Sequence, residues 1–298
     1  MSDVPPLREL LDRHSLRLRR ELGQNFLVDP READRLVDAA GVQEGEGVVE
    51  VGTGLGQLTR ALASRASRVS SFEIDSGLVR TNREEGLLPD NVELVHADAL
   101  KVDLETHIEA LREACGAPVR FVANLPYASA TPMLRRLLDL RGKLAGYAVM
   151  LQLEVADRLF AEVGTRDYGS FAVLHHLCVE AVGRRRLPAA AFFPVPKIDS
   201  AFVTMRSRAG SWPDRKELRA IERVARAAFG KRRKTLSNAL KGGGFGLAPE
   251  EVTRVIEGCD IDPRVRAETL EPAVFATLAN GFAHALARVT EGSDNGPD

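Results

Sequence analysis

The sequence predicts an α/β protein with a doubly wound parallel sheet, followed by a smaller all-helical domain. Short β-branched runs alternate with helical segments between about residues 29 and 151, a pattern typical of parallel sheets. The first run, 47–51, enters a glycine-rich turn that opens a helix. Beyond Pro213 the apolar residues repeat with helical spacing. We therefore expect a first domain over residues 1–210 and a second over 211–298.

Composition limits the possible classes of protein. The chain has 298 residues, of which 44% are hydrophobic, enough for a substantial core. Its net charge is −1, so any surface for nucleic acid must be a local basic face. The three cysteines are widely spaced and predict neither disulfides nor a metal site. The N-terminus lacks an apolar signal core and no uncharged span reaches membrane length, so we expect a cytoplasmic protein without membrane contact.

The N-terminal region, 1–28, is basic, and residues 6 to about 20 are predicted as a charged helix. A polar and aromatic turn follows at Gly23–Leu27. Asp29 is a good N-cap and Pro30 suits a first helical position, so the next helix is expected to run to about Ala40. This helix would hold the preceding turn close to the start of the sheet.

The glycine-rich turn follows Glu50 with the pattern E-x-G-x-G-x-G through Gly52, Gly54 and Gly56. Such glycines allow a ligand to approach backbone N–H groups at a helix N-terminus. The dinucleotide pattern G-x-G-x-x-G is not matched, and Glu50 would repel a pyrophosphate. A glycine turn alone is equally compatible with a purely structural role.

Acidic residues follow the next two predicted strands. Strand 68–72 ends at Glu73, about twenty residues after the glycine turn, where an acid accepts hydrogen bonds from ribose hydroxyls. This position suits either an adenosine cofactor or NAD. Strand 92–95 is followed by Asp98, whose carboxylate can accept a hydrogen bond from an adenine amino group.

The fourth strand, 119–123, ends abruptly at Asn124-Leu125-Pro126-Tyr127. Ligands bind at the carboxyl ends of such strands, and here an amide, a peptide carbonyl and a phenol ring arrive together. These groups suit a flat nitrogenous base held by its amino edge and stacked on one face. A simple strand-to-loop turn is the alternative. A helix is predicted to start at Thr131-Pro132, and a fifth strand is predicted over 145–151.

Further motifs lie between this sheet and the second domain. Arg184-Arg185-Arg186 forms a basic cluster. Residues 192–197, Phe-Phe-Pro-Val-Pro-Lys, predict a proline-stiffened loop before a strand at 200–205. The two phenylalanines either fill the core or hold a ring at a pocket mouth.

The second domain is predicted to contain helices at 215–229, 234–240, 249–257 and 272–289, after a linker at 210–213. The densest basic block of the chain, 231–234, lies between the first two helices. Charged runs are commonly solvated faces, but this block is strongly one-signed, as phosphate-binding surfaces are.

With these motifs in order, the chain resembles the ribosomal RNA adenine dimethyltransferases over nearly its whole length. The matching motifs are G-Q-N-F-L (23–27), E-V-G-T-G-L-G (50–56), E-I-D (73–75), A-D-A (97–99), N-L-P-Y (124–127), D-Y-G-S (167–170), F-F-P-V-P-K-I-D-S (192–200) and F-G-K-R-R-K-T-L (229–236). The chain departs from the family pattern at Thr53, often proline, and at Leu153, commonly lysine. Neither position carries an atom that the chemistry requires.

The resemblance implies a class I S-adenosylmethionine-dependent methyltransferase fold, with a Rossmann-like sheet and a C-terminal helical domain. S-adenosylmethionine is the implied cofactor, and no metal is implied. The implied cofactor-binding residues are Gln24, Asn25, Leu27, Glu50, Gly52, Gly54, Glu73, Ile74, Asp98, Ala99 and Asn124. The implied catalytic residues are Asn124, Leu125, Tyr127 and Phe192, with the base between the two rings. The implied RNA-binding residues are Arg184, Arg185, Lys197, Arg223, Lys231, Arg232, Arg233 and Lys234.

The implied reaction is dimethylation of N6 on two adjacent adenines in the 3'-terminal hairpin loop of 16S ribosomal RNA. The partner would be the small ribosomal subunit, the protein would be a monomer, and a role in subunit biogenesis is expected. Alternatives are a large-subunit RNA methyltransferase of the macrolide-resistance type and a non-catalytic assembly factor. A dehydrogenase fits poorly, because the glycine spacing is wrong for a dinucleotide.

Overall fold

The structure, a computed structural model, describes residues 5–16, 23–208 and 213–294. The chain divides into two units, one comprising 1–156 with 180–207 and the other 157–179 with 208–298. The predicted division at residue 210 differs from this one in the segment 157–179, which groups with the second unit. Arg17, Arg19 and Arg20 of the predicted N-terminal helix, and residues 210–212 of the predicted linker, lie outside the described residues.

The first unit is organised around a seven-stranded sheet. Its strands, with two short ones outside it, are β1 (Phe26–Leu27), β2 (Gly47–Val51), β3 (Arg68–Glu73), β4 (Val92–His96), β5 (Val119–Ala123), β6 (Gly146–Gln152), β7 (Val179–Leu187), β8 (Phe192–Phe193) and β9 (Ser200–Ser207). The order is β4-β3-β2-β5-β6-β9-β7. Strands β2 to β6 pair in parallel and β9 pairs antiparallel with β6. The predicted α/β class with a doubly wound sheet is confirmed.

Helices of the first unit connect these strands. They are α1 (Leu7–Arg13), α2 (Pro30–Ala40), α3 (Gln57–Ala63), α4 (Ser76–Glu84), α5 (Leu104–Cys115), α6 (Tyr127–Leu140) and α7 (Leu153–Leu159), the last of which continues into the second unit. Helix α2 begins as predicted, with the Asp29 carboxylate accepting from the Arg31 N–H at 3.0 Å and Pro30 in first position. It ends at Gly41, which adopts a left-handed conformation.

Two local predictions are wrong, and one strand has no counterpart among the predicted elements. Helix α6 begins at Tyr127, directly after Pro126, and contains Pro132; the Thr-Pro pair imitates a helix start but lies inside the helix. Strand β7 was not expected, because its glycine and arginines give no β-type pattern. The segment 192–193 is not a free loop, because β8 pairs antiparallel with β1 and places Phe192 opposite Leu27.

The second unit is helical. Its helices are α8 (Ser170–Cys178), α9 (Arg215–Phe229), α10 (Leu236–Lys241), α11 (Pro249–Gly258) and α12 (Pro272–Asp294). Tyr168 and Phe275 both contact the ring of Phe229, with centroid separations of 5.5 and 5.6 Å. The Tyr168 hydroxyl donates to the Leu270 carbonyl at 2.9 Å, so this tyrosine of D-Y-G-S anchors the helical core. No helix in the described ranges has an apolar stretch long enough to cross a bilayer.

Candidate active site

The main cavity of the first unit lies where the strand order reverses, at the carboxyl ends of β2 and β5. On one side the chain continues from β2 to β3 and β4, and on the other from β5 to β6. Doubly wound sheets bind ligands at this point, because the loops diverge there and leave a crevice. The cavity has a volume of about 1440 Å³ and includes both the glycine turn and the Asn124 tetrapeptide in its lining. It therefore has room for a nucleoside-sized cofactor and a second base.

The Asn124 side chain is held by the N-terminal turn. Its Nδ2 donates to the Asn25 backbone carbonyl at 2.8 Å. The side-chain Nδ2 of Asn25 in turn donates to the Gly23 carbonyl at 3.0 Å. Gly23 has φ +61°, and a side chain there would bring its Cβ within 3.1 Å of the Tyr127 nitrogen. Glycine is therefore needed where this turn meets the tetrapeptide. The side-chain oxygen of Asn124, Oδ1, is then the acceptor that remains for a ligand amine.

Glu73 joins the glycine turn to the end of strand β3. One carboxylate oxygen accepts from the Gly54 N–H at 2.9 Å, and the other accepts from the Asp75 N–H at 2.9 Å. Burial raises the pKa of Glu73, although these backbone donors and that of Ile74 oppose the shift. Each oxygen retains a lone pair that can accept from a ribose hydroxyl. Gln24 reaches the same region, since its Nε2 donates to the Asp75 carboxylate at 3.2 Å.

The loop after β4 brings Asp98 and Ala99 to the cavity wall. One Asp98 oxygen accepts from the Leu100 N–H at 2.9 Å, and the Lys101 ammonium lies 3.6 Å from the other. The loop is also held from α6, where Arg136 donates to the Ala99 carbonyl at 2.7 Å and to the Val102 carbonyl. Arg136 was not predicted from the sequence, because nothing local to it indicates a contact with a loop 34 to 37 residues away.

Glu50 does not line the cavity, unlike the other implied cofactor residues. Its side chain is fully buried, and one carboxylate oxygen accepts from the Thr59 and Ser71 hydroxyls, each at 2.6 Å. Burial raises the pKa of Glu50 to about 8, so the neutral acid is favoured at neutral pH. The Thr53 hydroxyl lies 2.6 Å from that of Ser71 and extends this network under the glycine turn. Direct contact of Glu50 with a ligand is not supported; its carboxyl is instead part of the network beneath the turn.

Five aromatic residues of the described ranges line the cavity, and three of them, Tyr127, Phe192 and Phe193, differ in exposure. The Tyr127 side chain is half-buried, and burial raises the pKa of its phenol. Phe192 is only 1% exposed and packs in the main core with Leu27. Phe193 is less buried, and the Arg8 guanidinium lies 5.1 Å from its ring centre. Phe192 thus meets the cavity from within the core, with little of its ring free to stack.

The N-terminal helix α1 forms part of the cavity wall, a position that its sequence does not predict. The residues concerned are Pro5, Pro6, Leu7, Arg8 and Leu10. Charged side chains at the C-terminal end of α1 hold it to Glu85, the residue that follows α4. His14 Nε2 lies 2.6 Å from the Glu85 carboxylate, and Arg13 donates to the same group at 2.9 Å. The apolar Leu10 indicates that one side of the helix is buried. Nothing in the sequence of this charged helix predicts that the buried side faces a pocket.

The predicted RNA-binding residues lie in two groups. In the first unit, Arg185 forms an ion pair with Glu32 at 2.9 Å, and Arg184 and Lys197 are exposed. In the second unit, Arg223 lies over the Phe245 ring and Arg232 donates to the Arg166 carbonyl. Lys231, Arg233 and Lys234 are exposed and form no ion pair within the described ranges. No group of His, Cys, Asp or Glu residues in those ranges is arranged to hold a metal ion.

Most of the predicted cofactor and catalytic residues do converge on the cavity. Those in its lining are Gln24, Asn25, Leu27, Gly52, Gly54, Glu73, Ile74, Asp98, Ala99, Asn124, Leu125, Tyr127 and Phe192. They come from the turn before α2 and the loops after β2, β3, β4 and β5, with Phe192 from β8.

Comparison with known proteins identifies the family. The sequence model described as Ribosomal RNA adenine dimethylase matches residues 15–284. A protein of Geobacillus thermodenitrificans named Ribosomal RNA small subunit methyltransferase A is 40% identical over 92% of this chain and 94% of its own length. One of the same name from Desulfotalea psychrophila is 37% identical over 98% of this chain and 100% of its own length.

Solved structures support the fold. A dimethyladenosine transferase from Plasmodium falciparum superposes with a TM-score of 0.71 at 23% identity, covering 87% of this chain and 98% of that one. The 23S rRNA methyltransferase ErmE gives a TM-score of 0.57 at 24% identity, covering 87% of this chain and 99% of its own. The class I methyltransferase fold is thus confirmed. The chain belongs to the ribosomal RNA adenine dimethylase family and is an S-adenosylmethionine-dependent methyltransferase of ribosomal RNA.

Proposed function

We propose that this enzyme dimethylates N6 of two adjacent adenines in the 3'-terminal hairpin loop of 16S ribosomal RNA, with the small subunit as its partner. The name of its relatives, small subunit methyltransferase A, supports the choice of subunit. The likeness to ErmE concerns the fold alone. We further propose a monomeric, cytoplasmic protein that acts during subunit biogenesis. The observation on which the chemistry rests is the fixed Asn124 amide at the end of β5.

The cofactor end of the cavity fits a nucleoside. Gly52 has φ +88°, a conformation that residues with a side chain rarely adopt, so glycine is needed where the turn passes the Asn124 backbone carbonyl. Glu73 supplies acceptors for ribose hydroxyls, and Asp98 supplies one for an amino group. Ile74 and Leu100 are partly exposed apolar side chains in the same wall, as stacking on a base requires. Gln24, Asn25, Leu27, Gly54, Ala99 and Asn124 complete the proposed cofactor site.

When bound, S-adenosylmethionine supplies a methyl group on a positively charged sulfur that is a good leaving group. The protein's own task is then to position the amine. Holding two reactants in line contributes about 7–11 kcal/mol in favourable cases. The target adenine must first leave the RNA stack, because enzymes that act on a base cannot reach it within the helix.

The tetrapeptide is suited to grip an adenine amine. The Asn124 side-chain oxygen and the Leu125 carbonyl each accept one N–H of the amine, which draws its lone pair out of conjugation with the ring. Tyr127 stacks on one face of the base, and the buried Phe192 bounds the base site from the core without offering a full ring face. After one transfer, in which the sulfur leaves as a neutral thioether, the methylated nitrogen loses one proton to water. The amine then keeps a single N–H, so a second transfer at the same grip remains possible.

The test is to incubate the protein with radiolabelled S-adenosylmethionine and undermethylated small or large ribosomal subunits. We expect label in the small-subunit RNA, recovered as dimethyladenosine after digestion. Label only in large-subunit RNA would indicate the macrolide-resistance type of reaction. Binding to small subunits without labelling of either RNA would indicate a non-catalytic assembly factor.

A further inference from the structure

The Tyr127 hydroxyl has a partner, the last residue of the motif at 192–200, to which the family resemblance assigns no role in the site. It lies 2.9 Å from the hydroxyl of Ser200, which is the first residue of β9 and is fully buried. Within the described part of the chain, each hydroxyl forms its hydrogen bond with the other alone. The bond joins residues 73 positions apart, and it connects the start of helix α6 to the antiparallel strand of the sheet.

Ser200 is a firm anchor for such a bond. It pairs with Gln152 in the register of β6 and β9. The neighbouring Asp199 carbonyl accepts from the Leu153 N–H at 3.1 Å, and the Asp199 carboxylate accepts from the Ala189 N–H at 2.9 Å. The hydrogen bond between Ala189 and Asp199 thereby joins the two ends of the segment that carries Phe192. Ser200 thus directly follows the closed segment that carries Phe192.

Tyr127 needs an external anchor. It is the first residue of α6 and its side chain is only half-buried, so packing surrounds only part of the ring. A hydrogen bond at the far end of the ring fixes the direction of its long axis. Because the phenolic O–H lies in the ring plane, the same bond favours one tilt of the ring face.

We propose that Ser200 is a positioning residue of the methyl transfer, whose hydroxyl holds the Tyr127 ring at the angle on which the target adenine stacks. This inference rests on the proposed function, in which Tyr127 forms one face of the base site. A ring that tilts freely lets the amine drift from the line of attack, and a misplacement of about 1 Å can cost roughly 100-fold in rate. Ser200 itself touches neither base nor cofactor.

The hydrogen bond is tested with Ser200→Ala, Tyr127→Phe and the double variant of the full-length protein. Each single change removes the same bond, so we expect kcat to fall by about 10- to 100-fold in each and no further in the double variant. Cofactor affinity, measured by calorimetry, should remain parental. Ser200→Thr keeps a hydroxyl at the same position and should restore most of kcat. Equal losses that multiply in the double variant would overturn the proposal, as would a parental kcat in Ser200→Ala.

Thr204→Val is the matched control. Thr204 is a buried residue of the same strand whose hydroxyl donates to the Ala39 carbonyl at 2.9 Å, outside the cavity. Its loss should lower the melting temperature as much as Ser200→Ala does and leave kcat unchanged. A matching fall in kcat would mean that general weakening of β9 explains both results. All rates are measured on whichever ribosomal RNA the parental enzyme labels, so failure of the small-subunit assignment would be seen first and separately.

Discussion

The cavity of the first unit and the basic block of the second unit use polar side chains in opposite ways. In the cavity, Glu73 and Asn124 are hydrogen-bonded to backbone groups of other loops. In the block, Lys231, Arg233 and Lys234 point to solvent without an ion pair in the described ranges. Methyl transfer needs groups that are already oriented, whereas attraction of a phosphate backbone needs charge that is not neutralised. Changes in the first region should therefore alter rates and cofactor affinity, and changes in the second should alter RNA binding.

The largest expected effect is on turnover, and it comes from Asn124→Ala. The Asn124 oxygen matters most as the amine nitrogen becomes tetrahedral, so its loss should raise the barrier by about 2.7–4 kcal/mol. Single-turnover measurements at saturating cofactor should show this fall while binding of subunits stays near parental. Asn91→Ala is the control, because Asn91 also donates to a backbone carbonyl, that of Ala63, but lies outside the cavity. Dimethyladenosine formed by Asn124→Ala at the parental rate would remove Asn124 from the reaction.

Glu73→Ala should weaken binding of S-adenosylmethionine by about 1.5–3 kcal/mol, the range for a hydrogen bond to a charged group. The ribose loses its acceptor, and the Gly54 N–H loses the carboxylate that holds the turn. Calorimetry measures the change, with Glu93→Ala on β4 as an exposed acidic control outside the cavity. An unchanged affinity would show that Glu73 is not part of the cofactor site.

Glu50 makes the stability of the first unit depend on pH. Its pKa is about 8 in the folded chain against an ordinary 4.5, so between these values the folded state binds a proton that the unfolded state lacks. The free energy of unfolding should therefore fall as pH rises through this window. Glu50→Gln keeps the acceptor for Thr59 and Ser71 without the titration, and between pH 6 and 8 it should gain about 2 kcal/mol relative to the parent. Denaturant unfolding at both pH values measures this difference, and a constant difference would contradict the assignment.

For the basic block, Arg232→Ala together with Arg233→Ala should weaken binding to ribosomal particles and flatten its dependence on salt. The logarithmic salt slope should shrink by about 0.7 to 0.9 for each phosphate that the variant no longer neutralises, since fewer counterions are released. Filter binding across a salt series measures both quantities. Parental slope and affinity would make the block a solvated surface only, and cofactor affinity should not change in either case.

Arg185→Ala is expected to have the smallest effect, although the family resemblance implies the same role for Arg185 as for Arg232. Its guanidinium is already paired with Glu32, and an exposed ion pair contributes about 0–1 kcal/mol. Particle binding and salt slope should remain close to parental. If Arg185→Ala lowered particle affinity and salt slope as much as the double change in the basic block, an ion pair within the chain would not indicate which basic residues bind RNA.

The site could be predicted from the sequence to the extent that its residues follow strands. Glu73, Asp98 and Asn124 each lie at the carboxyl end of a strand or within two residues of it, so their convergence followed from the parallel sheet. The missed features depend on pairing across long separations. Ser200 contacts Tyr127 and Arg136 contacts Ala99 through the folded chain, with no local pattern to indicate either interaction. The sequence also does not show that Phe192 is more buried than Phe193. Nor does it show that Glu50, unlike the other cofactor residues, lies beneath the cavity wall, because both facts depend on packing.

The pairing of β1 with β8 also has a consequence for the order in which the protein can form its site during synthesis. Phe26 lies opposite Phe193, so a ribosome must add 167 further residues before the N-terminal strand has its partner. Strand β9, which carries Ser200, comes later still and follows a segment that belongs to the second unit. Such distant pairings form slowly, because a long loop must close before they contribute stability. Until then the growing chain holds a glycine turn and a tetrapeptide without the strand that brings Phe192 to them, so a truncated product ending before residue 192 should lack a complete base site.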